Sequence, residues 1–179
     1  MKGKALRIEG YGMNKKLIVV NGTMAVGKTT TCRLLNSKLQ NSVWLDGDWC
    51  WRMNPFVVND ENKRMVENNI SYLLRNFFSN SSIEYIIFNW VIHTEAIMEM
   101  VLDWVKNFNF DLYKITLTCS EDELKERLLK RQAHEEMIKR SIERLALYED
   151  LDTFKIDTTN KRSEEVAEEI IKLIKRKFS

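Results

Sequence analysis

Apolar positions along the chain alternate between short continuous runs and stripes at helical spacing. Leu17-Ile18-Val19-Val20 is an unbroken apolar run followed closely by a glycine-containing loop. Such a run predicts a strand buried on both faces, the habit of parallel sheets. Cys32, Leu35 and Leu39 then recur at helical spacing from Lys28. Val43-Trp44-Leu45 predicts a second strand, closed by Asp46-Gly47-Asp48. Val66, Ile70, Leu73, Leu74 and Phe77 mark one helix face. Tyr85-Ile86-Ile87-Phe88 predicts the third strand, and Ile97, Met100, Val101, Trp104 and Val105 the helix after it. Leu112 to Cys119 predicts the fourth strand, with Ile115, Leu117 and Cys119 on one face and threonines between. Ser120-x-x-Glu123 has the form of a capping box that opens a helix, and Ile138, Ile142 and Leu145 mark a further one. Phe154-Lys155-Ile156 predicts a fifth, short strand; Val166, Ile170, Leu173 and Ile174 stripe the last helix. Strand and helix alternating five times predict an α/β fold, three layers (α/β/α) around a parallel sheet with right-handed crossovers.

Composition narrows the class. At 179 residues the chain fits one domain with a real core. We expect that domain over residues 13–179. Residues 1–12 lack periodicity and precede a second methionine, Met13, so they read as an N-terminal extension or tag. A net charge of +2 is too small to imply nucleic acid or an anionic membrane as partner. Cys32, Cys50 and Cys119 are odd in number, far apart and form no C-x-x-C pair. Reduced thiols and a cytoplasmic location are the expectation. No apolar run approaches the length of a membrane span.

The chemistry concentrates at Gly22-Thr23-Met24-Ala25-Val26-Gly27-Lys28-Thr29, a G-x-x-x-x-G-K-T phosphate-binding loop of the Walker A form. Glycines let the backbone curl so that successive N–H groups point at a phosphate chain. The helix that follows adds its N-terminal N–H groups and dipole. Met24, Ala25, Val26, Gly27, Lys28, Thr29 and Thr30 are therefore the expected ATP-binding residues. Lys28 is expected to reach the β- and γ-phosphates, and Thr29 to offer a hydroxyl to Mg²⁺. The loop follows an apolar strand and opens a periodic helix, which is the context this chemistry needs. GTP is disfavoured, because Asn160-Lys161-Arg162-Ser163 lacks the aspartate of N-K-x-D.

Beyond the loop, short motifs resemble P-loop small-molecule and nucleotide kinases. Glu123 to Arg131 resembles the helix entering the lid of nucleoside monophosphate kinases, and Arg144-Leu145-Ala146-Leu147-Tyr148 the stretch leaving it. Ile156-Asp157-Thr158-Thr159 resembles the adenine-side loop, and Asp46-Gly47-Asp48 the second-strand end of adenylylsulfate, gluconate and shikimate kinases. The resemblance implies a five-stranded parallel sheet in the order 2-3-1-4-5. It implies that Arg127 stacks on the adenine and that Thr158 and Thr159 lie beside the base. Arg131 and Arg144 would clamp the phosphates in transit, where guanidinium forks answer moving charge. An alternative for Arg127 is a surface pair with Glu123 at i,i+4. Only Gln132 to Glu136 separates the two arginine-bearing helices, which implies a short lid at about 131–140. Asn89 stands where the family carries an acidic residue, so the resemblance leaves Mg²⁺ to Thr29 and Asp46.

In open α/β sheets ligands lie outside the carboxyl ends of the strands. Asp46 to Arg52 and Asn89 to Glu95 should therefore face the acceptor, which makes Asp46, Asp48, Trp49, Arg52, Trp90 and His93 the candidate substrate contacts. Asp48 is the candidate general base for a hydroxyl acceptor. Trp49, Trp51 and Trp90 either stack on the acceptor or cap the core; Trp44 and Trp104 read as core. His93 reads as a polar cap before the helix, with an acceptor contact as the alternative. Two functions remain open: an ATP-dependent phosphotransferase acting on a small acceptor, and a nucleotide-dependent regulatory ATPase with none. Polynucleotide phosphorylation lacks the basic track it would need.

Overall fold

The computed structural model describes residues 14–176, so the expected extension at 1–12 lies outside them. The elements run β1 (Lys15–Asn21), α1 (Lys28–Lys38), β2 (Ser42–Asp46), a 3-10 turn (Gly47–Trp51), α2 (Asp60–Ser79), β3 (Tyr85–Asn89), α3 (Glu95–Asp103), β4 (Phe110–Thr118), α4 (Glu121–Lys130), α5 (Glu135–Leu147), β5 (Phe154–Asp157) and α6 (Ser163–Arg176). The five strands form one parallel sheet in the order β2-β3-β1-β4-β5. Fold class and strand order thus agree with the sequence reading.

The central strand shows why its sequence has no polar alternation. Ile18 and Val20 enter a core with Cys32 and Leu35 of α1, Leu124 and Leu128 of α4, and Val166 and Ile170 of α6. Leu17 and Val19 enter the opposite core with Val66, Ile70 and Leu74 of α2 and Met98 and Val101 of α3. All four β1 residues are fully buried. Each such side chain contributes about 1.5–3 kcal/mol of transfer free energy.

Three local readings need correction. In the α3 stripe, Ile97, Val101, Trp104 and Val105 do meet the core, but Met98 is buried in place of Met100, and the helix itself ends at Asp103 with Trp104 as its C-cap. In α2 the fully enclosed aromatic is Phe78, while Phe77 is only partly buried. The capping box at α4 is half-built. Ser120 accepts from the Glu123 N–H at 3.3 Å, but the Glu123 carboxylate turns to Arg127, and the Ser120 N–H donates to Thr159.

The register aligns the strand ends that matter. Val20 lies opposite both Asn89 and Ile115, and Asp46 opposite Asn89. The loop after β1, the turn after β2 and the segment after β3 therefore leave the sheet at one edge.

Candidate nucleotide and acceptor site

The phosphate loop is held in a shape that depends on glycine at two positions. Gly22 has φ +139° and Gly27 φ +111°, both in the region that disfavours side chains. A Cβ on Gly22 would lie 2.5 Å from the Leu117 carbonyl and 2.9 Å from Val26. No side chain caps α1 at Gly27, so its first-turn N–H groups are available to an anion. Lys28 is buried inside the loop and donates to the carbonyls of Gly22 and Thr23, each at 2.9 Å. Burial pushes its ammonium pKa down, and the carboxylates of Asp48 and Asp46 pull it back up. A polyphosphate entering the loop would give this charge the anionic partner it lacks.

Two cavities flank the start of α1 and share Ala25, Gly27, Thr30 and Arg131. The larger, about 480 Å³, also meets Arg127, Thr158, Lys161 and Arg162. The smaller, about 280 Å³, brings Met24, Lys28, Thr29, Asp48, Val91 and Arg131 together. Residues from the phosphate loop, the β2 end, the β3 end and the α4 end thus converge on one space.

Arg127 makes the expected pair with Glu123 and more besides. It pairs with Glu123 at 2.9 Å, and it also donates to the Val26 carbonyl, the Thr158 hydroxyl and the Thr158 carbonyl. It welds the loop to the β5 end while lining the larger cavity. The Thr158 hydroxyl is engaged with the Val26 and Thr118 carbonyls, and the Thr159 hydroxyl with Asp157 and the Ser120 N–H. These two side chains hold the loop's shape. Lys161 and Arg162, which follow in the same loop, line the larger cavity along with Thr158. Their basic character beside the phosphate loop is the sequence signal that marks them.

At the β2 end, Thr29 Oγ1 donates to Asp46 Oδ2 at 2.8 Å, and Asp46 Oδ1 accepts from the Asp48 N–H at 3.0 Å. One carboxylate therefore orients both the loop hydroxyl and the 3-10 turn that carries Asp48. A hydroxyl and a carboxylate in contact are hard oxygen donors of the type Mg²⁺ takes when it retains water and phosphate oxygens. Asp48 is open to solvent yet flanked by protein. Desolvation and the neighbouring Asp46 push its pKa up, while Lys28 pulls it down.

The tryptophans are not gathered into one pocket. Trp49 packs on Trp44 at 4.8 Å, Trp51 on Phe56 at 5.9 Å, and Trp90 against Phe88 at 6.4 Å. Trp90 also covers Gly47, where a Cβ would come within 2.7 Å of its ring. It is Val91, not Trp90, that lines the cavity with Asp48. Trp44 and Trp104 are partly buried against opposite cores. Arg52 is exposed as the C-cap of the 3-10 turn. The cap of α3 is Thr94, whose hydroxyl accepts from the Ile97 N–H, so His93 does not serve as that cap. Burial and Arg144 push the His93 pKa down. The Val91 carbonyl offsets part of this, although Nδ1 has no partner in hydrogen-bond geometry. Arg144 itself is exposed on α5. Sequence reasoning gave no role to Thr23, yet its buried hydroxyl donates to the Ser141 carbonyl at 3.0 Å and ties the loop to α5.

A parallel sheet in this order, with a phosphate loop after its central strand, defines a P-loop nucleotide-binding protein. The chain belongs to the AAA domain family AAA_18, which matches residues 18–148. Nucleotide binding follows from that membership. It is also 27% identical over 92 residues to the cytidylate kinase of Buchnera aphidicola, a match covering 51% of this chain and 40% of that kinase. Among solved structures it resembles the Deinococcus radiodurans tunicamycin resistance protein (20% identity, TM-score 0.63, 89% of this chain and 95% of that one). It also resembles a Sinorhizobium meliloti gluconokinase (15%, TM-score 0.66, 92% and 93%) and the Acinetobacter baumannii shikimate kinase (18%, TM-score 0.63, 93% and 96%). Among the described residues no helix is long and apolar enough to cross a membrane.

Proposed function

We propose that the protein is an ATP-dependent phosphotransferase that moves the γ-phosphoryl group of ATP to a hydroxyl of a small molecule. The observation that carries this reading is the single cavity holding Lys28, Thr29, Asp48 and Arg131 together. A carboxylate in this space can take the proton that an acceptor hydroxyl must lose as it attacks. In this mechanism the acceptor oxygen bonds to the γ-phosphorus, the bond to the bridging oxygen of ADP breaks, and the hydroxyl proton passes to Asp48. Lys28 and Arg131 meet the charge that spreads over the transferring oxygens. Arg144 on α5 would join them, with residues 131–140 acting as a short lid. Thr29 and Asp46 would hold Mg²⁺, which neutralises phosphate charge when bound.

The acceptor side favours a molecule with apolar character. Met24, Trp49, Phe56, Val57 and Val58 are all substantially exposed, in the phosphate loop, in the Asp48 turn and in the segment that leads from it to α2. Exposed apolar surface of this kind beside a cavity marks a binding site. The experiment is a coupled ADP-release screen with tunicamycin, D-gluconate, shikimate, cytidine and CMP, chosen from the acceptors that the similar proteins' names suggest. ADP formation that depends on tunicamycin, D-gluconate, shikimate or cytidine supports the reading, and dependence on CMP alone would point to a phosphate acceptor. ADP formation at the same rate without any acceptor would favour the regulatory ATPase instead.

A further inference from the structure

The two cavities beside α1 divide a bound nucleotide between them. The smaller contains Lys28 and Asp48, so the phosphate to be transferred belongs there. The larger, about 480 Å³, shares Ala25, Gly27, Thr30 and Arg131 with it and is left for the nucleoside end.

Around that larger cavity the acceptors are engaged and the donors are not. The Thr158 carbonyl accepts from Arg127 and from the Lys161 N–H. The Arg162 carbonyl accepts from the Glu165 and Val166 N–H groups. The Val26 carbonyl accepts from Arg127 and shares the Thr158 hydroxyl. A carbonyl oxygen has two lone pairs, so little is left at these three for a ligand. The Glu123 carboxylate is held by Arg127. Lys161, by contrast, gives one hydrogen to Glu169 at 2.9 Å and keeps two. Arg162 bonds Glu165 through Nε at 3.4 Å, and its terminal NH groups have no partner among the described residues. Lys161 is also fixed in place. Its N–H closes a turn onto the Thr158 carbonyl at 3.1 Å, Asn160 supplies the left-handed residue of that turn at φ +55°, and Glu169 of α6 holds the ammonium.

We propose that this cavity reads a purine by its acceptor edge, through Lys161 with Arg162, and so binds 6-oxopurine nucleotides more tightly than adenine nucleotides. ATP is then one donor among the purine triphosphates, and GTP or ITP serves at least as well. Guanine and hypoxanthine present O6 and N7 side by side as acceptors, the pair that a lysine or arginine meets best; adenine puts an amino donor in place of O6. That amino group would need one of the engaged carbonyls or Glu123. A carboxylate only accepts, so the aspartate absent from Asn160-Lys161-Arg162-Ser163 could read only the N–H groups of guanine and has no bearing on this edge. The proposal rests on the kinase reading above only for which end of the nucleotide faces Asp48.

The test is calorimetric titration of the full chain, with no acceptor present, using the non-hydrolysable imido analogues of ATP, GTP and ITP with Mg²⁺. The guanosine and inosine analogues should bind about 3–10-fold more tightly than the adenosine analogue, the effect of one added hydrogen bond. They should match each other, because inosine lacks the 2-amino group and keeps O6 and N7. The Lys161→Ala, Arg162→Ala double variant should bring the three affinities together by weakening the two oxo nucleotides, and Lys161→Arg should retain the wild-type preference. An adenosine analogue bound as tightly as the other two would overturn the proposal. So would a preference that survives in the double variant, or one shown by the guanosine analogue alone, since the 2-amino group would then carry it. Each of these outcomes leaves the kinase reading intact. ADP formation independent of every acceptor defeats that reading and leaves this one, because the titration contains no acceptor. Absence of binding by all three analogues defeats both.

Discussion

Alanine at each of the two phosphate-loop glycines separates backbone strain from steric collision. At Gly27, φ is +111° but a new Cβ meets only Thr31 Oγ1, at 4.0 Å. The cost there is conformational alone, about 2 kcal/mol. At Gly22, φ is +139° and the Cβ would sit 2.5 Å from a backbone carbonyl of β4. That carbonyl belongs to a strand paired on both sides and cannot retreat cheaply. Strain and collision together should cost about 4 kcal/mol. For a domain of this size each kcal/mol lowers Tm by about 2–4 °C. Gly27→Ala should therefore melt about 4–8 °C early and Gly22→Ala about 8–16 °C early by calorimetry. Titration with a non-hydrolysable ATP analogue and Mg²⁺ should show Gly22→Ala binding more weakly, because the whole loop must shift. Equal effects at the two positions, or a larger effect at Gly27, would refute the loop geometry.

Other perturbations probe the chemistry. Lys28→Ala should weaken transition-state stabilisation by about 2–4 kcal/mol, read as kcat/KM for ATP, with unchanged values counting against the phosphate loop. Asp48→Asn should leave ATP affinity intact and lower turnover by about 10²–10⁴-fold. In wild type, turnover should rise with pH through a pKa above the usual aspartate value, because the base works only when deprotonated; the variant should lack that limb. A carboxyl whose pKa is raised by folding stabilises the fold while protonated and loses that contribution as pH rises. Asp48→Asn should accordingly keep or raise Tm at neutral pH, and a fall would contradict the crowding inferred around it. Arg127→Leu strips partners from the Val26 and Thr158 carbonyls and should cost about 1–3 kcal/mol in a denaturant titration.

The sheet was legible because burial on both faces leaves a direct mark on composition. Leu17 to Val20 and Tyr85 to Phe88 each admit almost no polar residue, and the glycine loop fixes which strand is central. Helix faces were legible, but the end of α3 was not. The α3 stripe continues through Trp104 and Val105 into the core although the helix stops at Asp103, because the chain beyond the cap keeps the same apolar side inward. The 3-10 turn at Gly47–Trp51 escaped because one turn is too short to show a period. What places Asp48 is instead a hydrogen bond from its own N–H to Asp46, together with a glycine that lets Trp90 lie flat over the turn.

Pairings between distant segments explain the remainder of the site. Trp49, Trp51 and Trp90 lie together in the sequence-level picture because they follow neighbouring strand ends. Side-chain direction then sends each to a different aromatic neighbour, and the wall beside Asp48 falls to Met24 and Val91. The Thr23–Ser141 hydrogen bond spans 118 residues and has no sequence signature, yet it couples the phosphate loop directly to the helix that carries Arg144 and Tyr148. Phosphate entering the loop would act on Thr23 through the backbone that Lys28 grips at Gly22 and Thr23. A nucleotide that redirects Lys28 away from those carbonyls therefore acts on the anchor of α5 as well. In the proposed reaction this gives a physical reason for the lid arginine to respond to ATP: the helix bearing Arg144 hangs from the same loop that binds the phosphates.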